Sequence, residues 1–225
     1  MIRAPTTENE LMQHATNIAG KTLQHIANIN QIAIPEKLTT AKGWVGELIE
    51  SSLGASAGHL PEPDFQLIGV ELKTLPLNAK MQPKESTYVC VVSLEKNDEK
   101  NWETSLVKKK LSRVLWVPVE ADPDIPLAQR RVGSAFLWSP SPSQNNILRN
   151  DWQEMTDMIV MGKLDQITAE HGQYLQIRPK AADSKSLGSG NNEEGDKILT
   201  LPRGFYLRAS FTRRLLQNSG LCAGV

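Results

Sequence analysis

Three residues whose types suit phosphate chemistry lie within PEPDFQLIGVELKT (61–74): Asp64, Glu71 and Lys73. Ile68, Val70 and Leu72 alternate with Gly69, Glu71 and Lys73, a period of two that predicts a strand around 67–74 with its apolar set facing a core. Residues two apart in a strand point the same way, so Glu71 and Lys73 project side by side. Pro61 and Pro63 hold the approach extended, and a turn around Gln66 can carry the Asp64 carboxylate next to that of Glu71. Two carboxylates so placed repel each other unless a positive charge sits between them. Mg²⁺ is suited to that position: it is hard, takes one or two carboxylates, keeps waters and accepts a phosphate oxygen. The main-chain carbonyl of Leu72 is a candidate third protein ligand. Lys73 can orient or help deprotonate an attacking water and offset charge developing at phosphorus. These parts predict phosphodiester hydrolysis. Glu-x-Lys alone equally describes a surface ion pair, worth under ~1 kcal/mol.

The rest of the composition narrows the alternatives. The chain has 225 residues with 25 basic and 25 acidic side chains, so no overall positive field draws it onto nucleic acid or an anionic membrane. A polyanion must be met by local patches, for which Lys108–Lys110 with Arg113, Arg130 with Arg131, and Arg203 with Arg213 and Arg214 are the candidates. Each of these also reads as solvated surface. Cys90 and Cys222 form no CxxC pair, and Cys90 lies in the apolar run YVCVV, which reads as a buried strand thiol. His14, His25, His59 and His171 form no metal-ligand spacing. GASAG (54–58) lacks the Lys-Ser/Thr of a phosphate-binding loop, and no G-x-S-x-G occurs. MIRAPTTENEL carries no apolar signal core and no apolar run reaches membrane-spanning length, so a soluble cytoplasmic protein is expected.

These residues need elements to hold them. Thr7 with Glu10 predicts a capping box opening a first helix, and a second helix is expected after Gly20. In KGWVGELIESSLGASAG, Trp44, Val45, Leu48 and Ile49 form one helical arc, with Glu47 and Glu50 on the opposite side. Strands are expected around 67–74 and 86–93, as neighbours in a mixed sheet, and at 113–120, 133–139, 174–179 and 198–207. The last is interrupted by Pro202 and Gly204. Helices are expected at 151–162, closed by Gly162, and at 210–217. The segment 181–196, AADSKSLGSGNNEEGD, is too polar to bury and reads as a long mobile loop. The chain is read as one α/β domain spanning 1–225, with two lobes around a cleft.

The runs KGWVGELIE, LGASAG, PDFQLIGVELKT, WETSLVKKKL, RVLWVPVE, IPLAQRRVGS, QIRPKAA and LPRGFYL, in that order, closely resemble the MutH family, the strand-nicking endonucleases of methyl-directed DNA mismatch repair. The resemblance covers roughly 7–217. It implies a restriction-endonuclease-like fold, a mixed sheet flanked by helices with two lobes around a DNA-binding cleft. It implies Mg²⁺ held by Asp64 and Glu71, Lys73 assisting the water, and Glu50 completing the acidic cluster, although Glu47 is a rival on the same helix. Lys110 would approach the scissile phosphate. Arg178 and Lys180 would sit at the recognition loop and Tyr206 near the adenine edge, where a methyl group would disturb it. Tyr88 can touch DNA or simply pack. The implied activity is a nick in the unmethylated strand 5′ of GATC in hemimethylated DNA, read in the major groove, where the adenine N6 and thymine methyl groups lie. A MutL-type ATPase would activate it, with MutS upstream, and it would act as a monomer, since one copy of the motif suits one strand. A dimeric GATC restriction enzyme cutting both strands and a catalytically silent GATC-binding module are the alternatives.

Overall fold

The structure is a computed structural model describing residues 2–36, 43–58, 60–94, 101–180, 188–191, 194 and 196–220. The chain divides into two compact units. The first comprises Met1–Glu85, Ser112–Ser139 and Leu215–Val225, the second Ser86–Leu111 and Pro140–Arg214. Among the described residues no helix is long and apolar enough to cross a membrane. His59 and Cys222 lie outside the described residues, and Cys90 is buried as expected.

In the first unit, short hydroxyl side chains start the helices by accepting unpaired first-turn N–H groups. Thr7 caps α1 (Glu8–Ile18) and Thr22 caps α2 (Leu23–Asn30). The expected capping box is displaced by one residue, because the Glu10 carboxylate reaches back to the amide and hydroxyl of Thr6, at 2.7 and 2.8 Å, rather than to Thr7. α3 (Trp44–Leu53) ends at Gly54. Leu11, Leu23, Ile26, Leu48 and Ile49 on the inner faces of these helices share one core with Val70 and Leu72.

That core packs on a three-stranded sheet of order β1-β3-β4, where β1 is Glu71–Leu77, β3 is Val114–Glu120 and β4 is Phe136–Trp138. β1 runs parallel to β3, Glu71 opposite Val114 and Lys73 opposite Trp116, and β4 is antiparallel to β3. β3 is buried along all but its last residue, which is why VLWVPV is continuously apolar rather than alternating. The strand expected around 67–74 begins later than the alternation suggests. Residues Gln66–Ile68 form a turn of 3₁₀ helix, and Gly69 takes the left-handed conformation at φ 64°, reversing the chain. Phe65 and Val70 then exchange main-chain hydrogen bonds of 2.9 and 3.3 Å across this reversal.

The second unit is built on an antiparallel sheet of order β2-β8-β5, formed by β2 (Thr87–Val91), β5 (Leu175–Pro179) and β8 (Arg203–Leu207). The expected pairing of the 67–74 and 86–93 strands is therefore corrected, since each belongs to a different sheet with partners distant in sequence. The expected 198–207 strand is likewise two. β7 (Lys197–Thr200) pairs with β6 (Gly188–Asn191) in a separate two-stranded ribbon, and Pro202 stands between β7 and β8. Residues 188–191 of the segment read as a loop are thus strand, while 181–187 lie outside the described residues. α4 (Leu106–Leu111) and α5 (Pro142–Val160) complete this unit's major helices, and α6 (Ala209–Asn218) follows β8. α5 starts well before the expected 151, because Ser141 and Gln144 form a complete capping box with Pro142 in the first turn.

The turn leading into β5 is clamped from two sides. The buried carboxylate of Asp151, on α5, accepts the N–H groups of Gln173, Tyr174 and Leu175 at 2.8, 2.6 and 2.9 Å. The Arg208 guanidinium donates to the carbonyls of Ala169, His171 and Gly172 at 2.6, 2.7 and 3.0 Å. Donors and acceptors that this irregular turn leaves unpaired are thereby satisfied, and the start of β5 is held in place.

Candidate active site

Asp64 is held at both its main chain and its side chain. Its carbonyl accepts the N–H groups of Ser56 and Ala57, at 2.9 and 3.2 Å, so the LGASAG turn after α3 grips it. Its Oδ2 accepts the Leu72 N–H at 2.8 Å, which draws the carboxylate onto the start of β1. Asp64 is 9% exposed. Glu71, 2% exposed, is fixed by its own N–H, which donates to the Arg113 carbonyl at 2.9 Å, and it accepts the Lys73 ammonium at Oε1, 2.6 Å away. The side-by-side projection expected of Glu71 and Lys73 is the geometry found. The Leu72 N–H on Asp64 ties that acid to the residue next to Glu71 in the chain.

Glu50, in the last turn of α3, feels the same charges. Burial pushes its carboxyl above the usual glutamate range, the negative charges of Asp64, Glu71 and Glu47 push in the same direction, and the Lys73 ammonium opposes them. Glu47 is exposed and Glu50 half-buried, so of the two rivals on α3 it is Glu50 that faces the protein. The first unit thus brings Glu50, Asp64, Glu71, Leu72 and Lys73 to one place. Among the described residues no group of three or more His, Cys, Asp or Glu side chains is placed to hold a metal ion without other ligands. A cation here would be held by the carboxylates of Asp64 and Glu71 with a main-chain oxygen such as that of Leu72, and water would complete its shell. All-oxygen donors and two buried acids fit a hard divalent cation.

The other expected site residues belong to the second unit, where the antiparallel register sorts them onto one face. Tyr88 is opposite Tyr206, which is opposite Gln176, and Arg178 is opposite Gly204. Directly opposed residues share a face, as do residues two apart along a strand, so Tyr88, Tyr206, Gln176 and Arg178 project together. Lys180 continues the series, its N–H bonded to the Pro202 carbonyl at 2.7 Å. The Tyr88 and Tyr206 rings meet edge-on with centroids 5.3 Å apart. The Lys180 ammonium donates to the Tyr88 hydroxyl at 2.9 Å and lies 4.6 Å from that ring's centroid. Ser86 was not singled out in the sequence, yet its hydroxyl accepts from Gln176 at 2.7 Å and from Arg178 at 3.5 Å. Gln176 and Gly204 were also missed. A period of two along QIRPK puts Gln176 on the side of Arg178, but nothing local marks the pairing of β5 with β8.

Lys110 lies in the second unit, in the last turn of α4, half-buried. Its neighbour Lys108 is paired with Glu103. The remaining basic clusters are largely committed to structure. Arg130 and Arg131 donate to the carbonyls of Ile125 and Gly20, at 3.1 and 2.7 Å. Arg113 makes a two-pronged pair with Glu8, at 2.7 and 2.6 Å, Arg203 reaches Asp165 at 3.5 Å, and Arg214 lies over the Tyr174 ring.

A protein-family model, "MutH: DNA mismatch repair enzyme MutH", matches residues 53–151. A "DNA mismatch repair protein MutH" of Shigella flexneri is 51% identical over 221 residues, covering 98% of this chain and 96% of the relative. The protein of the same description from Escherichia coli O139:H28 is 52% identical over 216 residues, covering 96% of this chain and 94% of its own length.

Proposed function

The chain belongs to the MutH family of DNA mismatch repair enzymes, and from that premise we propose that it nicks the unmethylated strand 5′ of GATC in hemimethylated DNA, using Mg²⁺. As a DNA mismatch repair endonuclease it hydrolyses a phosphodiester. The reading rests chiefly on one observation, the buried Asp64 carboxylate bonded to the Leu72 N–H next to the buried Glu71, which holds Lys73.

In this mechanism Asp64, Glu71 and the Leu72 carbonyl would hold the divalent cation. When bound, it supplies a Lewis acid for a phosphate oxygen and lowers the pKa of a coordinated water. Lys73, fixed by Glu71, orients the attacking water and offsets negative charge growing on the phosphate oxygens. Glu50 completes the acidic cluster beside Asp64 and Glu71, and the proton that the attacking water gives up passes to solvent. The water oxygen forms the new bond to phosphorus, the bond to the leaving sugar oxygen breaks, and that oxygen leaves with a proton from solvent. Lys110 adds positive charge for the DNA backbone. Tyr88, Arg178, Lys180 and Tyr206 form the base-reading face, with Tyr206 at the adenine edge, where a methyl group would clash or displace a contact.

A chain with no net charge grips DNA weakly, which is consistent with a monomer that a MutL-type ATPase, with MutS upstream, brings into productive contact in the cytoplasm. The test is a hemimethylated GATC duplex with each strand labelled separately, incubated with Mg²⁺ or with EDTA. A nick confined to the unmethylated strand, lost in EDTA, is the expected result. Asp64→Ala should abolish cutting and change duplex affinity less than about threefold, because phosphate and base contacts carry the binding. Scission of both strands would establish the restriction alternative, binding without cutting the silent module, and normal cutting by Asp64→Ala would remove that residue from the metal site.

A further inference from the structure

The reading face contains a residue whose neighbours give it a more definite role than DNA contact or packing. Tyr88 touches the two side chains on which base reading depends, by two different parts of itself. Its ring meets Tyr206 edge-on at 5.3 Å between centroids, and its hydroxyl accepts the Lys180 ammonium at 2.9 Å. Both rings lie over the main chain of Gly204, which is buried within β8. A Cβ there would stand 2.8 Å from Cε2 of Tyr88, 3.1 Å from Cε2 of Tyr206 and 3.2 Å from the Cys90 carbonyl. Glycine inside a strand weakens it, so its presence at this point is explained by the close approach of the rings. Next to it the β2–β8 register shifts between Tyr88 and Cys90, re-aiming the strand where Tyr88 projects.

We propose that Tyr88 is a positioning residue for base reading: seated on Gly204, its ring sets the orientation of Tyr206 and its hydroxyl sets that of Lys180. The proposal rests on the GATC reading above and adds a division of labour within one side chain. An edge-to-face pair restrains Tyr206 to one approach to the adenine edge, so a methyl group cannot be accommodated by swinging the ring aside. A charge-assisted hydrogen bond keeps the long Lys180 side chain from sampling its other rotamers before DNA arrives.

Separating the two contacts tests it. Tyr88→Phe, Tyr88→Leu, Gly204→Ala, Lys180→Met and the double variant Tyr88→Phe/Lys180→Met are compared in the full chain, with circular dichroism confirming that each folds. Two quantities are read: the ratio of kcat/KM on unmethylated and fully methylated GATC duplexes, and the Kd for an unmethylated duplex without divalent metal. Tyr88→Leu and Gly204→Ala should lower the methylation ratio about tenfold, whereas Tyr88→Phe, which retains the ring, should hold it within about threefold. Tyr88→Phe and Lys180→Met should each weaken binding about tenfold, and the double variant no more than about twofold beyond Lys180→Met alone, since the hydroxyl acts through the amine. Tyr88→Phe is nearly isosteric, so the coupling can be measured even where Tyr88→Leu fails to fold. Additive effects in the double variant, or an unchanged ratio in Tyr88→Leu and Gly204→Ala, would overturn the proposal. A wild-type protein that nicks methylated and unmethylated duplexes alike would instead overturn the functional reading on which it depends.

Discussion

Replacing Asp151 by alanine should destabilise the protein by about 2–3 kcal/mol, a magnitude that follows from three hydrogen bonds and their burial. The carboxylate, 6% exposed, accepts main-chain N–H groups from three consecutive residues, Gln173, Tyr174 and Leu175. Hydrogen bonds to a charged group contribute about 1.5–3 kcal/mol each, which would sum to about 4.5–9 kcal/mol if none could be replaced. Leu175 is fully buried, so its N–H is left without a partner and incurs about 2–3 kcal/mol. Gln173 is exposed and Tyr174 half-buried, so water recovers most of what those two lose. Removing the buried charge also relieves its own desolvation, which lowers the total further. With an m-value of about 2–3 kcal/mol/M, the urea midpoint should fall by about 1 M at unchanged m. Hydrogen exchange gives the local readout, because the same three amides should lose protection while those of β3, in the other unit, keep theirs. Asp151→Asn should cost less than half as much. Its one oxygen can take the Oδ2 position, which serves both Tyr174 and Leu175, leaving only the exposed Gln173 amide against the new NH₂ group. A midpoint shift under about 0.3 M for Asp151→Ala, or unchanged protection of the three amides, would refute the clamp as the device that holds the entrance to β5.

Two further substitutions probe the first unit. Glu50 has a folded-state pKa raised by burial and by Asp64, so the native state holds its proton more tightly than the unfolded chain does. Stability is lost as pH rises from the ordinary glutamate range through the folded pKa. In metal-free buffer Glu50→Gln should therefore gain in Tm relative to wild type between pH 5 and pH 8, while losing most of its nicking activity. A Tm difference that is the same at both pH values would dismiss the burial argument. Glu8 is shifted the other way, because the Arg113 guanidinium bonded to its carboxylate holds it below the usual range. Its contribution is present at neutral pH and is lost as pH falls through that depressed pKa. Since the pair is about a third exposed on the arginine side and 41% on the glutamate side, Glu8→Gln should cost no more than about 1 kcal/mol at pH 7 and nothing measurable at pH 2. Chemical denaturation at the two pH values checks this, and an equal loss at both would exclude the ion pair as its source.

Much of the local structure was legible from neighbouring residues. Thr7 announces its helix, and RVLWVPVE reads as a strand, whose cover on both faces is a finding of the structure. The Ser141-Pro142-x-Gln144 start of α5 was equally readable, although the apolar pattern beginning at Asp151 drew attention past it. Glu71-x-Lys73 was legible as a pair because strand geometry alone puts residues two apart on one side. Gly69 was the signal that the alternation at 68–72 would not begin as strand, since only a left-handed residue lets Phe65 and Val70 meet.

What the sequence determined unaided was therefore what acts within a few residues: the caps, the periods, and the adjacency of an acid and an amine. Tertiary structure alone decided that 71–77 pairs with 114–120 and 87–91 with 203–207, that Asp64 closes onto the Leu72 amide, that Glu50 rather than Glu47 faces the buried acids, and that Tyr88, Lys180 and Tyr206 meet above Gly204. Caps and periods arise from bonds and side-chain directions confined to a turn or two, so each residue type carries them wherever it stands. Strand partners and converging side chains arise from packing between segments as far apart as 88 and 206, where any apolar strand could in principle pair with several others and only the burial of the whole core selects one.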